Sequence, residues 1–224
     1  MNLFGVFVAQ ALLTAQSLFC ERDDRILFDQ LELTVSEGEI WQVEGPNGSG
    51  KTTLLRILCG LSSHYEGELS WRGESMDEVR EQFLSELLYI GHQAGVSAML
   101  TAEENLHWQC ALHPSLDASR AQQALESVGL KGFEDVPAHQ LSAGQKRRIA
   151  LAKLYMSRAK LWILDEPFTA IDKIGVAAKE VLMVEHIKAG GSVIMTTHQD
   201  LSAEIPLHTI NVEHFASTQR EWAE

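Results

Sequence analysis

Gly45-Pro46-Asn47-Gly48-Ser49-Gly50-Lys51-Thr52 is a stretch built to hold an anion. It fits G-x-x-x-x-G-K-[ST], the pattern of a phosphate-cradling loop. Gly45, Gly48 and Gly50 let the main chain curl with its N–H groups turned inward. The Lys51 ammonium reaches β- and γ-phosphates as a point charge. The Thr52 hydroxyl is placed to ligate Mg²⁺, and Thr53 continues the turn.

The flanking segments must present that loop. Glu39-Ile40-Trp41-Gln42-Val43-Glu44 alternates like a strand entering it. Thr53-Leu54-Leu55-Arg56-Ile57-Leu58-Cys59 reads as a helix leaving it, with Gly60 as the cap. Bound phosphates then sit on a helix N-terminus. Leu161-Trp162-Ile163-Leu164-Asp165-Glu166 is an apolar run ending in two acids. It reads as a fully buried strand that Pro167 stops. Such a strand carries Asp165 and Glu166 to the carboxyl edge of a sheet, where open α/β folds bind ligands. Ser192-Val193-Ile194-Met195-Thr196-Thr197-His198 is a second buried strand, and it ends in a histidine. Leu141-Ser142-Ala143-Gly144-Gln145 contains an S-x-x-Q capping box, so a helix begins there with its positive end outward.

In this order the motifs resemble those of the ABC (ATP-binding cassette) ATPases. Residues 141–145 are similar to the family's LSGGQ signature and depart from it only at Ala143. Thr169-Ala170-Ile171-Asp172 resembles the D-loop, which in that family lies along a dimer interface. Gln93, in Tyr89-Ile90-Gly91-His92-Gln93, falls where the Q-loop glutamine is expected. The resemblance runs from about Leu18 to His198 and implies an α/β fold: a P-loop NTPase core of the ABC ATPase type with a helical subdomain. The chain is then one ATP-binding domain, 1–224, with its core at about 11–93 and 155–224 and the helical subdomain at about 94–154.

The same resemblance implies ATP and Mg²⁺ as the bound species and assigns roles. Gly45, Pro46, Asn47, Gly48, Ser49, Gly50, Lys51, Thr52 and Thr53 hold the phosphates. Thr52, Gln93 and Asp165 serve the metal, Asp165 through its water shell. Glu166 polarises the attacking water, and His198 holds that water against the γ-phosphate. Gln93 also links the core to the helical subdomain. Ser142, Gly144 and Gln145 of a second copy close over the nucleotide, so the active unit is a homodimer around ATP.

Finer traits resemble one branch. Asn105-Leu106 after Leu100-Thr101-Ala102-Glu103, the run Leu161 to Asp172, and Thr196-Thr197-His198-Gln199 together look like the ATP-binding subunits of the bacterial cytochrome c maturation system. That likeness implies integral membrane partners of the CcmB and CcmC kind and a peripheral position on the cytoplasmic face of the inner membrane. It also implies hydrolysis that drives haem handling. No direct haem site is expected, since His92 belongs to the Q-loop and no Cys-Pro pair occurs. The alternative is the ATPase subunit of another small exporter with a different cargo. One pattern is missing. The aromatic that stacks on adenine in these ATPases has no counterpart, and its position falls near Arg22 in Cys20-Glu21-Arg22-Asp23-Asp24-Arg25. An Arg guanidinium can stack on a purine. Phe19 or Phe28 could approach instead, and a merely solvated charged turn is an equal reading.

Composition narrows the rest. The 224 residues carry 18 Lys and Arg against 31 Asp and Glu, a net charge of −13. That balance disfavours non-specific nucleic-acid binding. Lys146-Arg147-Arg148 reads as a solvated helix face that adds positive potential near a partner's ATP. Three scattered cysteines suit a reducing compartment, and nine histidines show no metal spacing. Residues 1–10 read as a non-essential extension, and the first strand is expected near Ala11 to Leu18. No apolar run approaches the roughly 18 residues needed to span a bilayer. Thr101 and Glu104 make a second capping box, and Asp117-Ala118-Ser119 opens a further helix.

Overall fold

A charged reverse turn joins the first two strands of the described chain. β1 (Ala11–Arg22) and β2 (Arg25–Ser36) pair antiparallel, with Arg22 opposite Arg25. Asp23 and Asp24 between them both take positive φ, 52° and 59°. Two such residues make the turn whose twist suits a hairpin, and aspartate tolerates that conformation. This is a computed structural model, which describes residues 11–169, 171, 173–202 and 205–216. The expected extension at 1–10, and Ala170 and Asp172 of the D-loop, lie outside the described residues. β4 (Glu66–Trp71) pairs with β1, and the short β5 (Glu74–Ser75) completes a four-stranded antiparallel sheet in the order β2-β1-β4-β5.

The second sheet is parallel throughout its registered pairs. β3 (Ile40–Glu44), β6 (Leu87–Ile90), β7 (Leu161–Asp165), β8 (Ser192–Thr196) and β9 (Leu207–Asn211) lie in the order β6-β7-β8-β3-β9. Every residue of β7 and β8 is buried. Successive side chains on a strand face opposite ways, and the packing follows that rule. Leu161, Ile163 and Ile194 join the core under the antiparallel sheet, with Phe28, Leu54 and Trp71. Trp162, Leu164, Val193 and Met195 join the other core, with the helices between β6 and β7. Both faces are covered, so nothing polar interrupts these strands before their ends.

α1 (Lys51–Leu58) leaves β3 and stops at Gly60, whose φ of +66° is the left-handed ending that the sequence suggests. α2 (Arg80–Glu86) leads into β6. Between β6 and β7 come α3 (Ala102–Leu112), α4 (Ala121–Ser127) and α5 (Ala143–Met156), and α6 (Lys173–Lys188) joins β7 to β8. α3 and α5 both start on complete capping boxes. Thr101 accepts from the Glu104 N–H at 3.2 Å and Ser142 from the Gln145 N–H at 3.2 Å, each returned at 2.8 and 2.9 Å.

Several expectations are corrected. α1 begins two residues early, at Lys51, because the loop's last glycine already serves as its cap. The helix expected from Asp117 starts as a 3-10 turn, Ala118–Arg120, capped by the Asp117 side chain. β8 ends at Thr196, and β7 at Asp165, so His198 and Glu166 lie beyond their strands. The polar stretch after Pro206 supplies β9, an edge strand too hydrophilic to be read as one. Phe28 is wholly buried, which removes it as an adenine contact. Arg147 does not belong to a solvated face, for it is 6% exposed and points into the protein.

Candidate functional site

The carboxyl ends of β3, β7 and β8 bring the chemistry together. Asp165 and Thr196 are registered partners on adjacent strands, so both ends finish level. Glu44 ends β3, and the chain then curls through the glycine loop into α1. A cavity of about 480 Å³ lies against this edge. Asn47, Gly48, Gly50, Lys51, Thr52 and Thr53 line it, facing Asp165, Glu166 and His198.

The loop's shape explains its glycines. Gly45 has φ +140°, and a Cβ there would lie 2.6 Å from Ser49 Oγ. Gly50 has φ +102°, and a Cβ there would press on Leu27 at 3.1 Å. No side chain caps α1, and no acid sits in its first turn. The N–H groups at this end therefore have no partner within the helix, and its positive end is uncompensated. The Lys51 ammonium bonds the carbonyls of Gly45 at 2.6 Å and Pro46 at 3.0 Å, beside the same space. Ser49 Oγ is buried without a hydrogen-bond partner. Unpaired N–H groups at a helix start with an ammonium beside them suit an anion that has several acceptor oxygens.

Opposite the loop stands a polar relay. Thr52 Oγ1 donates to Asp165 Oδ2 at 3.0 Å. Thr196 Oγ1 donates to Asp165 Oδ1 at 2.8 Å and accepts the Glu166 N–H at 3.0 Å. Asp165 itself is only 2% exposed. Glu166 adopts φ +52°, rare for a residue with a side chain, as the chain turns off β7. His198 Nε2 lies 3.5 Å from Glu166 Oε1, and the histidine side chain is 61% exposed. One hydroxyl and one carboxylate 3.0 Å apart are hard oxygen donors of the kind Mg²⁺ accepts beside phosphate oxygens. Among the described residues no cluster of three His, Cys, Asp or Glu could hold a metal without such help.

Not every expected residue joins this cavity. Gln93 lines a neighbouring groove of about 960 Å³, which also touches Thr52 and Asp165. His92 borders both spaces. Ser142, Gly144 and Gln145 do not line the cavity of their own chain. Arg22 does line it, with Leu27. Sequence reasoning passed over Leu27 and Thr196 and misread Arg147 as part of a solvated face. Thr196 looked like any strand residue, since a hydroxyl at a strand end gives no signal until the neighbouring strand puts a carboxylate beside it.

A phosphate loop on a parallel sheet, two consecutive acids where another strand of that sheet ends and a capped helix carrying LSAGQ define an ATP-binding cassette ATPase. The family model described as ABC transporter matches residues 28–169. The cytochrome c biogenesis ATP-binding export protein CcmA of Hahella chejuensis is 57% identical over 190 residues, covering 85% of this chain and 90% of that protein. The protein of the same description from Yersinia pestis is 49% identical over 210 residues, covering 94% and 95%. This chain therefore belongs to the ABC transporter family of ATP-binding proteins, in the branch of the cytochrome c biogenesis ATP-binding proteins. Solved structures agree on the fold. An ATP-binding subunit of an ABC transporter matches with a TM-score of 0.75 at 24% identity, over 84% of this chain and 79% of that one. An ATP-binding cassette solved as a dimer in a post-hydrolysis state with ADP and Pi matches with a TM-score of 0.72 at 23% identity, over 84% and 88%.

Proposed function

We propose that this chain is the ATP-hydrolysing subunit of a membrane complex that powers the haem-handling step of cytochrome c maturation. The observation that carries the chemistry is the meeting of an uncapped α1 terminus with the Asp165–Thr52 and Glu166–His198 pairs, 3.0 and 3.5 Å across. The naming of its relatives supports the pathway.

In this reading Lys51 and the loop N–H groups hold the β- and γ-phosphates. Glu166 polarises the attacking water, and His198 keeps that water against the γ-phosphate. Thr52, Asp165 and Gln93 would hold Mg²⁺, which when bound offsets charge on the phosphate oxygens. The transition state is loose, so these residues act mainly by placing groups and supplying charge. Ser142, Gly144 and Gln145 lie away from the cavity of their own chain, which supports a homodimer in which each copy completes the other's site. Helical residues, about 94–154, would move against the core at about 11–93 and 155–224. The groove beside Gln93, rimmed by exposed Leu61, Leu84 and Leu112, is where integral membrane subunits of the CcmB and CcmC kind would engage. Among the described residues no helix is long and apolar enough to cross a membrane. Attachment to the cytoplasmic face of the inner membrane would then come through those partners.

Glu166→Gln tests the scheme. It should bind MgATP, remain an ATP-bound dimer and turn over little, whereas Lys51→Ala should lose nucleotide. A Glu166→Gln protein that stays monomeric at saturating MgATP contradicts the sandwich. Affinity capture of Glu166→Gln from solubilised membranes tests the pathway. Cytochrome c maturation subunits support it, and a different permease means another exporter with another cargo.

A further inference from the structure

Arg147 is a charge taken out of water whose hydrogen bonds, among the described residues, go to main-chain carbonyls and not to a carboxylate. It lies on the second turn of α5, two residues after Gln145, and is 6% exposed. Its Nη1 donates to the main-chain carbonyls of Gly91 at 2.6 Å and His92 at 3.3 Å. Its Nη2 donates to those of Asp165 and Glu166, both at 2.8 Å. Burial lowers its pKa even though the nearby Asp165 and Glu166 charges oppose that. Such a burial is costly unless the donors are used. A planar, rigid fork is what reaches four carbonyls from two separate segments, and an ammonium has no equivalent geometry.

The four acceptors are not scattered. Two belong to the turn that runs into Gln93, and two to the consecutive acids at the end of β7. Glu166 stands at φ +52°, a conformation that persists only when its surroundings hold it. Its N–H is held by Thr196 Oγ1 and its carbonyl by Arg147 Nη2. α5 starts at the Ser142 cap, the end of the molecule that would face a second copy's nucleotide.

We infer that Arg147 is a positioning residue that ties the helix beginning at Ser142 to the main chain of Glu166 and to the approach to Gln93, so that displacement of α5 is carried to both. This rests on the assignment of Glu166 as the residue that polarises water. The rival is a packing arginine whose stem merely fills the space under α5.

The experiment compares wild type, Glu166→Gln, Arg147→Gln, Arg147→Lys and Arg147→Met in the complex with the membrane partners. It reads kcat and half-saturation by MgATP, MgADP affinity, the ATP-bound dimer and melting temperature. Misplacing the acid without touching the phosphate loop should lower kcat about ten- to hundredfold in Arg147→Gln and Arg147→Met. Half-saturation and MgADP affinity should stay within about threefold, and the ATP-bound dimer should persist as in Glu166→Gln. Arg147→Lys keeps the charge without the fork and should stay closer to Arg147→Gln than to wild type. Wild-type kcat in Arg147→Met, which keeps the stem, overturns the inference. So does a loss of kcat that comes only with lost nucleotide affinity and lost melting temperature. If Arg147→Gln does not fold, Arg147→Lys and Arg147→Met decide by the same split. Wild-type turnover in Glu166→Gln would instead sink the assignment of the acid, whatever the Arg147 variants do.

Discussion

Thr196→Val removes the hydroxyl that links both acids while keeping the side chain's size. Thr196 is wholly buried, donates to Asp165 Oδ1 at 2.8 Å and accepts the Glu166 N–H at 3.0 Å. A hydrogen bond to a charged group contributes about 1.5–3 kcal/mol and a neutral one about 0.5–1.5 kcal/mol. Asp165 keeps its bond from Thr52, so its carboxylate is not stripped, and the sum of about 2–4.5 kcal/mol stands as the expected loss. In a chain of 224 residues each kcal/mol moves the melting temperature by about 2–4 °C. Thr196→Val should therefore melt lower by about 4–18 °C. Thr196→Ser keeps the hydroxyl and loses one methyl, about 1 kcal/mol, so it should fall by only a few degrees. Turnover should separate the pair further. Freed from its N–H restraint, Glu166 at φ +52° should relax, and Thr196→Val should lose at least about tenfold in phosphate release while Thr196→Ser stays near wild type. Thermal melts without nucleotide and steady-state phosphate release make the measurement. A valine variant that melts and turns over like the serine variant would refute the idea that this hydroxyl holds the acids.

Two further predictions concern the packing behind the sheet. A Cβ on Gly191 would run into the His186 ring, which is stacked on Trp162 with centroids 3.7 Å apart and planes 6° from parallel. Gly191→Ala should cost about 1–3 kcal/mol, and much less when His186 is also alanine, as a double-mutant cycle in denaturant would record. The His186 pKa is pushed down to about 4, chiefly by burial, with hydrogen bonding to the main chain at Ser192 and Lys160 offsetting part of it. The unfolded chain then takes up a proton near pH 6.5 that the folded chain refuses until about pH 4. Stability should fall as pH drops through that window, by roughly 3 kcal/mol at its lower end, and unfolding of His186→Gln should lose that slope.

What the sequence determined by itself is local and periodic. Spacing alone identifies Gly45 to Thr52, since an inward-curled main chain needs glycines at set offsets whatever surrounds it. The boxes at Thr101 and Ser142 are readable for the same reason, because each closes within four residues. The unbroken apolar run before Asp165 announces a strand covered on both faces, which implies the parallel sheet. What only the tertiary structure decided depends on partners far apart in the chain. A polar segment becomes the edge strand β9 because β3 lends it a register, not because of its own composition. Phe28 is lost as a base contact because the face of the hairpin that it shares turns into the core. Arg147 sits between two charged neighbours in the sequence and reads as surface, yet carbonyls 18 to 56 residues away remove it from water. The relay from Thr52 through Asp165 to Thr196 spans three elements, and no spacing rule can see it. Short-range geometry is written in residue types and offsets, whereas the satisfaction of buried polar groups is settled only when distant segments meet.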